Sequence, residues 1–461
     1  MQPSAERNLE QIRRWLDSGD IPGLDGYLNA LHPADIAEVI GRLEPGEQQQ
    51  ILSLLERHEE AEVLEYADEA VRGEIVSDLD DKRVSEIAEE MPPEEAADLL
   101  IELPEERAEH VLELMAAPEA EEVEDLLRYP PESAGGLMAP ALARVRDDQS
   151  VGALLDQIRS SDELQEADIY YIYVVDASDR VQGIVPLWDL LRATRGLPVR
   201  ELMQEVQAIP ADMDQEEVAA LFGKYDLAAA PVVDKGGCLL GRITHDEIQD
   251  VLREETNEDI SKFAGTDDDE LASLSSINTA RLRLPWLLIC LAGTFVSASV
   301  LHSFGGTLQA YLILVFFVPA VTATAGNSGL QTATMTVRGL ATGYVERVGA
   351  WPLVLKQVKA TVLVAIACGL VGGVVAAVWS DFSSQHVAPG SAAMLGGIIG
   401  GSMFAAICVS ATLGVLVPMA FRKVGIDPAV ASGPLITTSS DIFSLLVYLG
   451  VASALLTQLG T

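Results

Sequence analysis

The sequence predicts a multidomain fold: an all-α superhelical N-terminal domain, a tandem α/β pair, a connecting helix, and a five-helix transmembrane domain. Three observations lead there. The 461 residues are 49% hydrophobic yet carry a formal charge of −40, and those two properties rarely share one core. They separate near Pro285. After it, six bases (Arg338, Arg347, Lys356, Lys359, Arg422, Lys423) meet four acids (Glu346, Asp381, Asp427, Asp441), a formal +2; this leaves 24 bases against 66 acids, or −42, before it. Finally, one strand–turn–strand–helix pattern is written twice in the middle of the chain.

The charge narrows the partners. So acidic a part lacks the basic footprint of nucleic-acid binding. It attracts cations and is repelled by an anionic bilayer surface, although adaptation to high salt produces the same composition. Cys290, Cys368 and Cys408 sit in apolar runs and Cys238 in the polar half, which defines no disulfide framework. The histidines at 32, 58, 110, 245, 302 and 386 are scattered and no Walker loop occurs, so no catalytic constellation supports an enzyme. Residues 1–20 are polar and helical in character, unlike a secretory signal.

Residues 1–130 read as helix throughout. Short amphipathic units recur, among them L31HPADIAEVIGRL43, M91PPEEAADLLIEL103 and L103PEERAEHVLELM115. Proline at a first turn followed by acids suits the helix dipole, and the repetition predicts stacked helical hairpins. Residues 131–255 carry the repeat. Its copies are V174VDASDRVQGIVPLWDLL191 and V232VDKGGCLLGRITHDEIQDVL252. This resembles a tandem pair of CBS domains, which implies a cytosolic regulatory module. Residues 256–284 complete a polar connecting helix and a linker, with the acidic run Asp267-Asp268-Asp269-Glu270 in it.

Five apolar segments follow, at about 285–304, 309–336, 357–379, 393–421 and 434–457; each is near or above the ~20 residues a bilayer needs. Arg281 and Arg283 precede the first, Arg338, Arg347, Lys356 and Lys359 flank the second link, and Arg422 and Lys423 follow the fourth. The other connections and the C-terminus lack Lys and Arg. Five spans with their bases on alternate sides predict a cytoplasmic N-terminal half and an outside C-terminus. Trp286 and Trp379 fall near span ends, as interface anchors do.

Asp441 is the most informative residue. It is the single acid predicted inside a span, and no span core offers Lys, Arg or His as a partner. An intramembrane acid usually faces a water-filled path or a partner, so Asp441 is the candidate cation site. The second span, V318PAVTATAGNSGLQTATMTVRGLATG343, holds Pro319, Gly326, Gly329, Asn327, Ser328 and Gln331. It is expected to be a weakened, polar helix that lines a cavity or packs through small residues. In H245DEIQDVLREETNEDISKF263, Glu247, Asp250, Glu254 and Glu258 share one helix face, with Arg253 the one base among them.

These segments resemble one family. P319AVTATAGNSGLQTATMTVRGLATG343 is similar to the second membrane helix of MgtE magnesium channels, and D427PAVASGPLITTSSD441 to that family's fifth-helix signature, with Asp441 at the position of its ion-selecting aspartate. G135GLM138, I169YYIYVVD176 and D214QEEVAALFGKYD226 also look like family sequence, and the likeness spans essentially the whole chain. It implies a homodimeric channel for Mg2+ in the inner membrane, with two Asp441 carboxylates facing each other across the pore. Asn327, Gln331, Thr437 and Thr438 are then pore-lining residues. It further implies sensing of cytosolic Mg2+ by Asp214, Glu216, Asp226, Glu247, Asp250, Glu255, Glu258 and Asp259, faced by Glu94 and Asp98, with the connecting helix as a plug. Glu94 and Glu247 stand where the family often has Asp. An adenine nucleotide is left open as a ligand of the CBS pair. Gly241, Thr244 and Glu247 keep the nucleotide-binding pattern, whereas Pro186 and Trp188 interrupt it between Gly183 and Asp189. A secondary transporter that couples divalent cations to an ion gradient is the alternative function.

Overall fold

Prolines and acids punctuate the N-terminal part and set where its helices begin. The computed structural model describes residues 3–141, 143–160, 169–266, 276–341, 344–382, 391–431 and 433–459, and the chain divides into two units, Met1–Glu254 and Glu255–Thr461. Among the described residues of the first unit, ten helices run from α1 (Pro3–Ser18) to α10 (Ala117–Leu126). Pro33, Pro45 and Pro93 occupy first-turn positions, where a missing N–H removes no bond. Glu44 with Glu47, and Glu56 with Glu59, form reciprocal capping boxes. Helices this short depend on packing for stability, and those two apart in sequence lie side by side, as stacked hairpins do. Arginines tie successive layers: Arg83 reaches Glu60 at 2.6 Å, Arg107 reaches Asp81 at 2.7 Å, and Arg57 reaches Glu86 at 3.2 Å.

The repeat in 131–255 is built twice in one register. Strand β3 (Tyr171–Val175) pairs antiparallel with β4 (Val181–Pro186), and β6 (Ala229–Val233) pairs likewise with β7 (Leu239–Thr244). The irregularity falls at the matching step in each, Val174/Val175 and Val232/Val233. Two lead-in strands run parallel to their partners, β2 (Arg144–Arg146) to β3 and β5 (Ile209–Pro210) to β6. A further strand, β1 (Ala139–Pro140), pairs with β7, which gives the sheet orders β1-β7-β6-β5 and β2-β3-β4. The copies therefore interlock: the chain before the first copy crosses the second at Gly241, and Met203–Gln204 crosses the first at Gly183. A Cβ on Gly241 would lie 2.6 Å from the Ala139 carbonyl oxygen, so backbone approach requires glycine there. Helices α11 (Val151–Ser160), α12 (Leu187–Arg192) and α13 (Gln215–Tyr225) complete the pair. One apolar core runs from the helical stack into the second copy through Leu99, Val111, Met138, Phe222 and Ile248, while the first copy has its own around Ile172 and Val185.

Helix α14 (His245–Ala264) carries the chain out of the repeat. The acidic run 267–270 lies outside the described residues. Helix then resumes at Ser276, earlier than the span start expected at 285, because a helix continues past its apolar stretch into polar surroundings. Trp286 accordingly sits well inside α15 (Ser276–Ser303), as does Pro285. The short α16 (Gly305–Ala310), α17 (Ile313–Ala341), the short α18 (Tyr344–Val348), α19 (Ala350–Phe382), α20 (Ser391–Val424) and α21 (Pro434–Leu459) follow. Of these, α15, α17, α19, α20 and α21 are long and apolar enough to cross a membrane. Helix α20 is central and packs on α17, α19 and α21, around Ile399, Ile407 and Leu449. Leu363, Leu370, Val374 and Val378 of α19 face outward, as lipid-facing side chains do.

The second span departs from the expectation of a weakened helix. Helix α17 is continuous through Pro319, Gly326 and Gly329. Threonine hydroxyls back-bond inside it: Thr322 donates to the Val318 carbonyl at 3.0 Å and Thr324 to that of Ala320 at 2.7 Å. Such side chains help re-satisfy backbone near a proline. The glycines serve close packing instead: a Cβ on Gly329 would lie 2.6 Å from Ser410 Oγ.

Candidate functional site

Helix α21 turns Ser440, Ser444 and Tyr448 inward, all fully buried, and leaves Asp441 on the exposed side of the chain. On α17, Asn327 and Gln331 are exposed one turn apart. The two sets meet at Gly326, where an added Cβ would stand 3.7 Å from Asp441 Oδ1. The carboxylate therefore lies along α17, next to Asn327 in sequence. Neighbouring hydroxyls do not reach it. Thr437 donates to the carbonyls of Gly433 (3.2 Å) and Pro434 (3.1 Å), and Ser444 donates to the backbone carbonyl of Asp441 at 3.3 Å. Thr438 turns its methyl against Gly293 of the first span. Among the described residues, no ion pair or hydrogen bond reaches the Asp441 carboxylate.

The second constellation is acidic. Helix α8 (Pro93–Ile101) presents Glu94, Glu95 and Asp98 toward Glu247 of α14. Burial, then Glu94 and Glu95, push the Glu247 carboxyl up to about 9. Burial, then Asp98 and Glu65, push Glu95 up to about 8. Burial raises Asp98 to about 6 against the lowering effect of Arg72, and burial also raises Glu94. Arg72 supplies a counter-charge, pairing with Glu102, yet Glu94 Oε2 and Glu102 Oε2 remain buried without a hydrogen-bond partner.

The other candidate ligands are spread out. Asp214 caps the start of α13, accepting from the Glu216 N–H at 3.0 Å, whereas Asp226 closes its far end in a left-handed conformation at φ 50°. Asp250 pairs with Arg253 at 3.0 Å, and Glu255 lies one residue past Glu254. Glu258 pairs with Lys262, whose Nζ also meets Asp427 at 3.1 Å. Burial, then Asp427, raise the Asp259 carboxyl. Phe263 and Gly265 lie against Gly433 and Pro434, so the end of α14 abuts the start of α21. Among the described residues, no three His, Cys, Asp or Glu side chains converge to hold one ion. The donors are hard carboxylate oxygens, several of them only partly offset by Arg72, Arg253 and Lys262, a donor chemistry that fits Mg2+ held through its waters.

Sequence reasoning overlooked Glu95, Glu65, Arg72, Asp427 and Lys262. The doubled acid after Pro92-Pro93 was the available signal for Glu95, since both acids sit in a first turn over the buried pairs Ala96-Ala97 and Leu99-Leu100.

Three family profiles match in order: an MgtE intracellular N domain at 31–132, CBS domains at 134–196 and 199–254, and the MgtE divalent cation transporter domain at 318–451. Curated relatives agree over most of the chain. A magnesium transporter MgtE of Bacillus subtilis is 32% identical over 72% of this chain and 72% of its own length. One of Thermus thermophilus is 36% identical over 71% of each. The chain belongs to the MgtE family. It is a multi-pass membrane protein with the helical, CBS and five-helix parts expected of MgtE sequences. Its first half is also similar to a solved cytosolic domain of the Mg2+ channel MgtE in complex with ATP, with 34% identity, 53% of this chain and 99% of that one covered, and a TM-score of 0.50.

Proposed function

We propose that this MgtE-family chain is a magnesium-selective channel of the inner membrane that closes when cytosolic Mg2+ rises. The observation that carries the reading is Asp441: an unpaired carboxylate on the exposed side of a membrane helix, beside the exposed amides Asn327 and Gln331. A carboxylate at bilayer depth is too costly against lipid. A second copy of the chain would cover this face and bring two Asp441 side chains about one axis, with water between them. Two carboxylates with amides and the threonines Thr437 and Thr438 hold a hydrated Mg2+ through its waters, firmly enough to select it and weakly enough to release it. The N-terminal half is then cytoplasmic and the C-terminus outside, following the loop bases.

Closure is electrostatic. Without metal, Glu94, Glu95, Asp98 and Glu247 crowd one another with Arg72 as a partial counter-charge, and Asp259 is crowded by Asp427 and Glu258, which share Lys262. Pairs about 4 Å apart repel by about 4 kcal/mol at an effective dielectric of 20, and moving a gate from 1:99 to 99:1 needs about 5.5 kcal/mol. Mg2+ bound through Glu94, Asp98, Asp214, Glu216, Asp226, Glu247, Asp250, Glu255, Glu258 and Asp259 offsets that repulsion and holds the end of α14 at the mouth of α21 as a plug. Pro434, against which the end of α14 lies, stands seven residues before Asp441 on α21, roughly 10 Å of helix rise. The likeness to an ATP-complexed cytosolic domain also supports an adenine nucleotide at the CBS pair as a second regulatory ligand.

Flux of Mg2+ into liposomes containing the purified full chain tests the reading. Wild type should conduct without pH or sodium coupling, internal-face Mg2+ should shut it, and Asp441→Asn should abolish most flux. Turnover locked to a proton or sodium gradient would instead identify a coupled transporter.

A further inference from the structure

Asp441 is placed by something, and its neighbours show what. Ser440 is fully buried, and its hydroxyl lies 2.7 Å from that of Ser410, which is also fully buried on α20. Ser410 Oγ lies 2.6 Å from the Ala325 carbonyl oxygen of α17. Ser410 Oγ is placed to donate to both Ser440 Oγ and the Ala325 carbonyl, and its one hydroxyl proton is shared between them. The two contacts radiate from Ser410 and join α21, α20 and α17 at one level. Gly329 makes room for both hydroxyls: a Cβ there would stand 2.6 Å from Ser410 Oγ and 2.7 Å from Ser440 Oγ. The Ala325 carbonyl belongs to the residue before Gly326, and Gly326 is the residue beside the Asp441 carboxylate. Both ends of the relay thus adjoin the candidate ion site, though neither serine touches the carboxylate.

We infer that the Ser440–Ser410–Ala325 relay is a positioning device that fixes the rotation of α21 and so sets where Asp441 meets the ion. The inference rests on Asp441 being the ion-selecting group. Successive helical residues are offset by about 100°. Pinning Ser440 inward therefore holds Asp441 on the flank that runs along Gly326 and Asn327. Apolar packing alone resists rotation weakly on a helix with so many small neighbours, because van der Waals contact is non-directional. Two hydrogen bonds with defined geometry supply the missing direction. A carboxylate carried about 5–6 Å from the helix axis moves roughly 2 Å for a rotation of about 20°. Between two facing copies the displacements add, to several times the roughly 0.3–0.5 Å by which Ca2+–oxygen distances exceed Mg2+–oxygen ones, so even a few degrees of rotation matters. Ser410 and Ser440 accordingly determine selectivity without contacting Mg2+.

A second interhelical bond provides the control. Tyr448, two turns further along α21, donates to the Leu314 carbonyl of α17 at 3.1 Å. It joins two of the same helices through the same kind of bond, away from Asp441. The experiment measures Mg2+ and Ca2+ flux through the full-length channel in liposomes, together with its melting temperature, for Ser410→Ala, Ser440→Ala, the double variant, Tyr448→Phe and Asp441→Asn. The Mg2+/Ca2+ flux ratio should fall about fivefold or more in each serine variant and no further in the double, since the two act as one unit. Tyr448→Phe should lower the melting temperature by as much and keep the wild-type ratio. Serine variants that fold and keep the wild-type ratio overturn the inference, as does a Tyr448→Phe channel that loses the ratio equally. If a serine variant does not fold, Ser410→Cys, a weaker donor of similar size, must show an intermediate ratio, and a wild-type ratio there overturns it too. Should Asp441→Asn itself keep the ratio, the reading of the ion site fails, and that result is distinct from a failure of the relay alone.

Discussion

Replacing Glu247 by Gln should stabilise the N-terminal unit in Mg2+-free buffer, and the gain should grow with pH. Burial, then Glu94 and Glu95, push this carboxyl up to about 9, far above its unfolded value near 4.5. The folded state therefore keeps a proton that the unfolded state has already released. Stability contributed by the protonated form is full below about pH 4.5 and is lost as pH climbs toward about 9. At pH 7 the gap is about 2.5 pH units, or about 3 kcal/mol at 1.36 kcal/mol per unit. Glu95, pushed up to about 8, shares the same repulsion, so the glutamine should recover about half of this, roughly 1.5 kcal/mol. That corresponds to about tenfold slower hydrogen–deuterium exchange in residues 93–101 and 245–254 of the full-length protein, compared with wild type at the same pH. The difference should be near zero at pH 5, tenfold at pH 7 and larger at pH 9. It should shrink when Mg2+ is added, because the ion relieves the wild-type repulsion. Equal exchange ratios at pH 5 and pH 9, or faster exchange in the variant, would refute the claim that these acids are only partly offset.

Three further outcomes are expected. Gly433→Ala puts a Cβ into the Phe263 carbonyl, so it should displace the end of α14 and raise the Mg2+ concentration that half-closes the channel severalfold, read as open probability in patches. Neutralising Glu255, Glu258 and Asp259 together should weaken closure in the same assay while the Mg2+/Ca2+ flux ratio stays at the wild-type value. Arg72→Met leaves Glu102 and Glu95 without their counter-charge, and removing one partner of a buried pair costs about 3–5 kcal/mol; the thermal transition of the N-terminal unit should drop accordingly, with partial recovery at pH 5.

Asp441 was legible because one acid among apolar residues is conspicuous at any register, and the five spans because bilayer thickness fixes their length. The CBS copies were legible because strand patterning repeats with the glycines Gly183 and Gly241 in matching places. Four things were not. Which role the glycines of α17 play was left open, because glycine reads the same in sequence whether it breaks a helix or seats Ser410 and Ser440 against it. The expected ligands Asp214 and Asp226 look close in the chain, but an eleven-residue helix separates them. The buried acids Glu65 and Glu95 and their counter-charge Arg72 depend on how stacked hairpins meet α14, which no local periodicity encodes. Lys262 and Asp427 are separated by 165 residues, beyond any pattern a linear reading can detect.

Helix α14 has a mechanical consequence. From Glu247 to Phe263 it is one unbroken rod, about 24 Å long at 1.5 Å per residue. A tilt of about 5° at the acidic end carries the other end roughly 2 Å sideways, close to the radius of a water molecule. In the closure proposed above, such stiffness would convert a slight crowding or loosening of carboxylates into a stroke large enough to admit or refuse solvent. A flexible tether of the same length would absorb that stroke before it arrived.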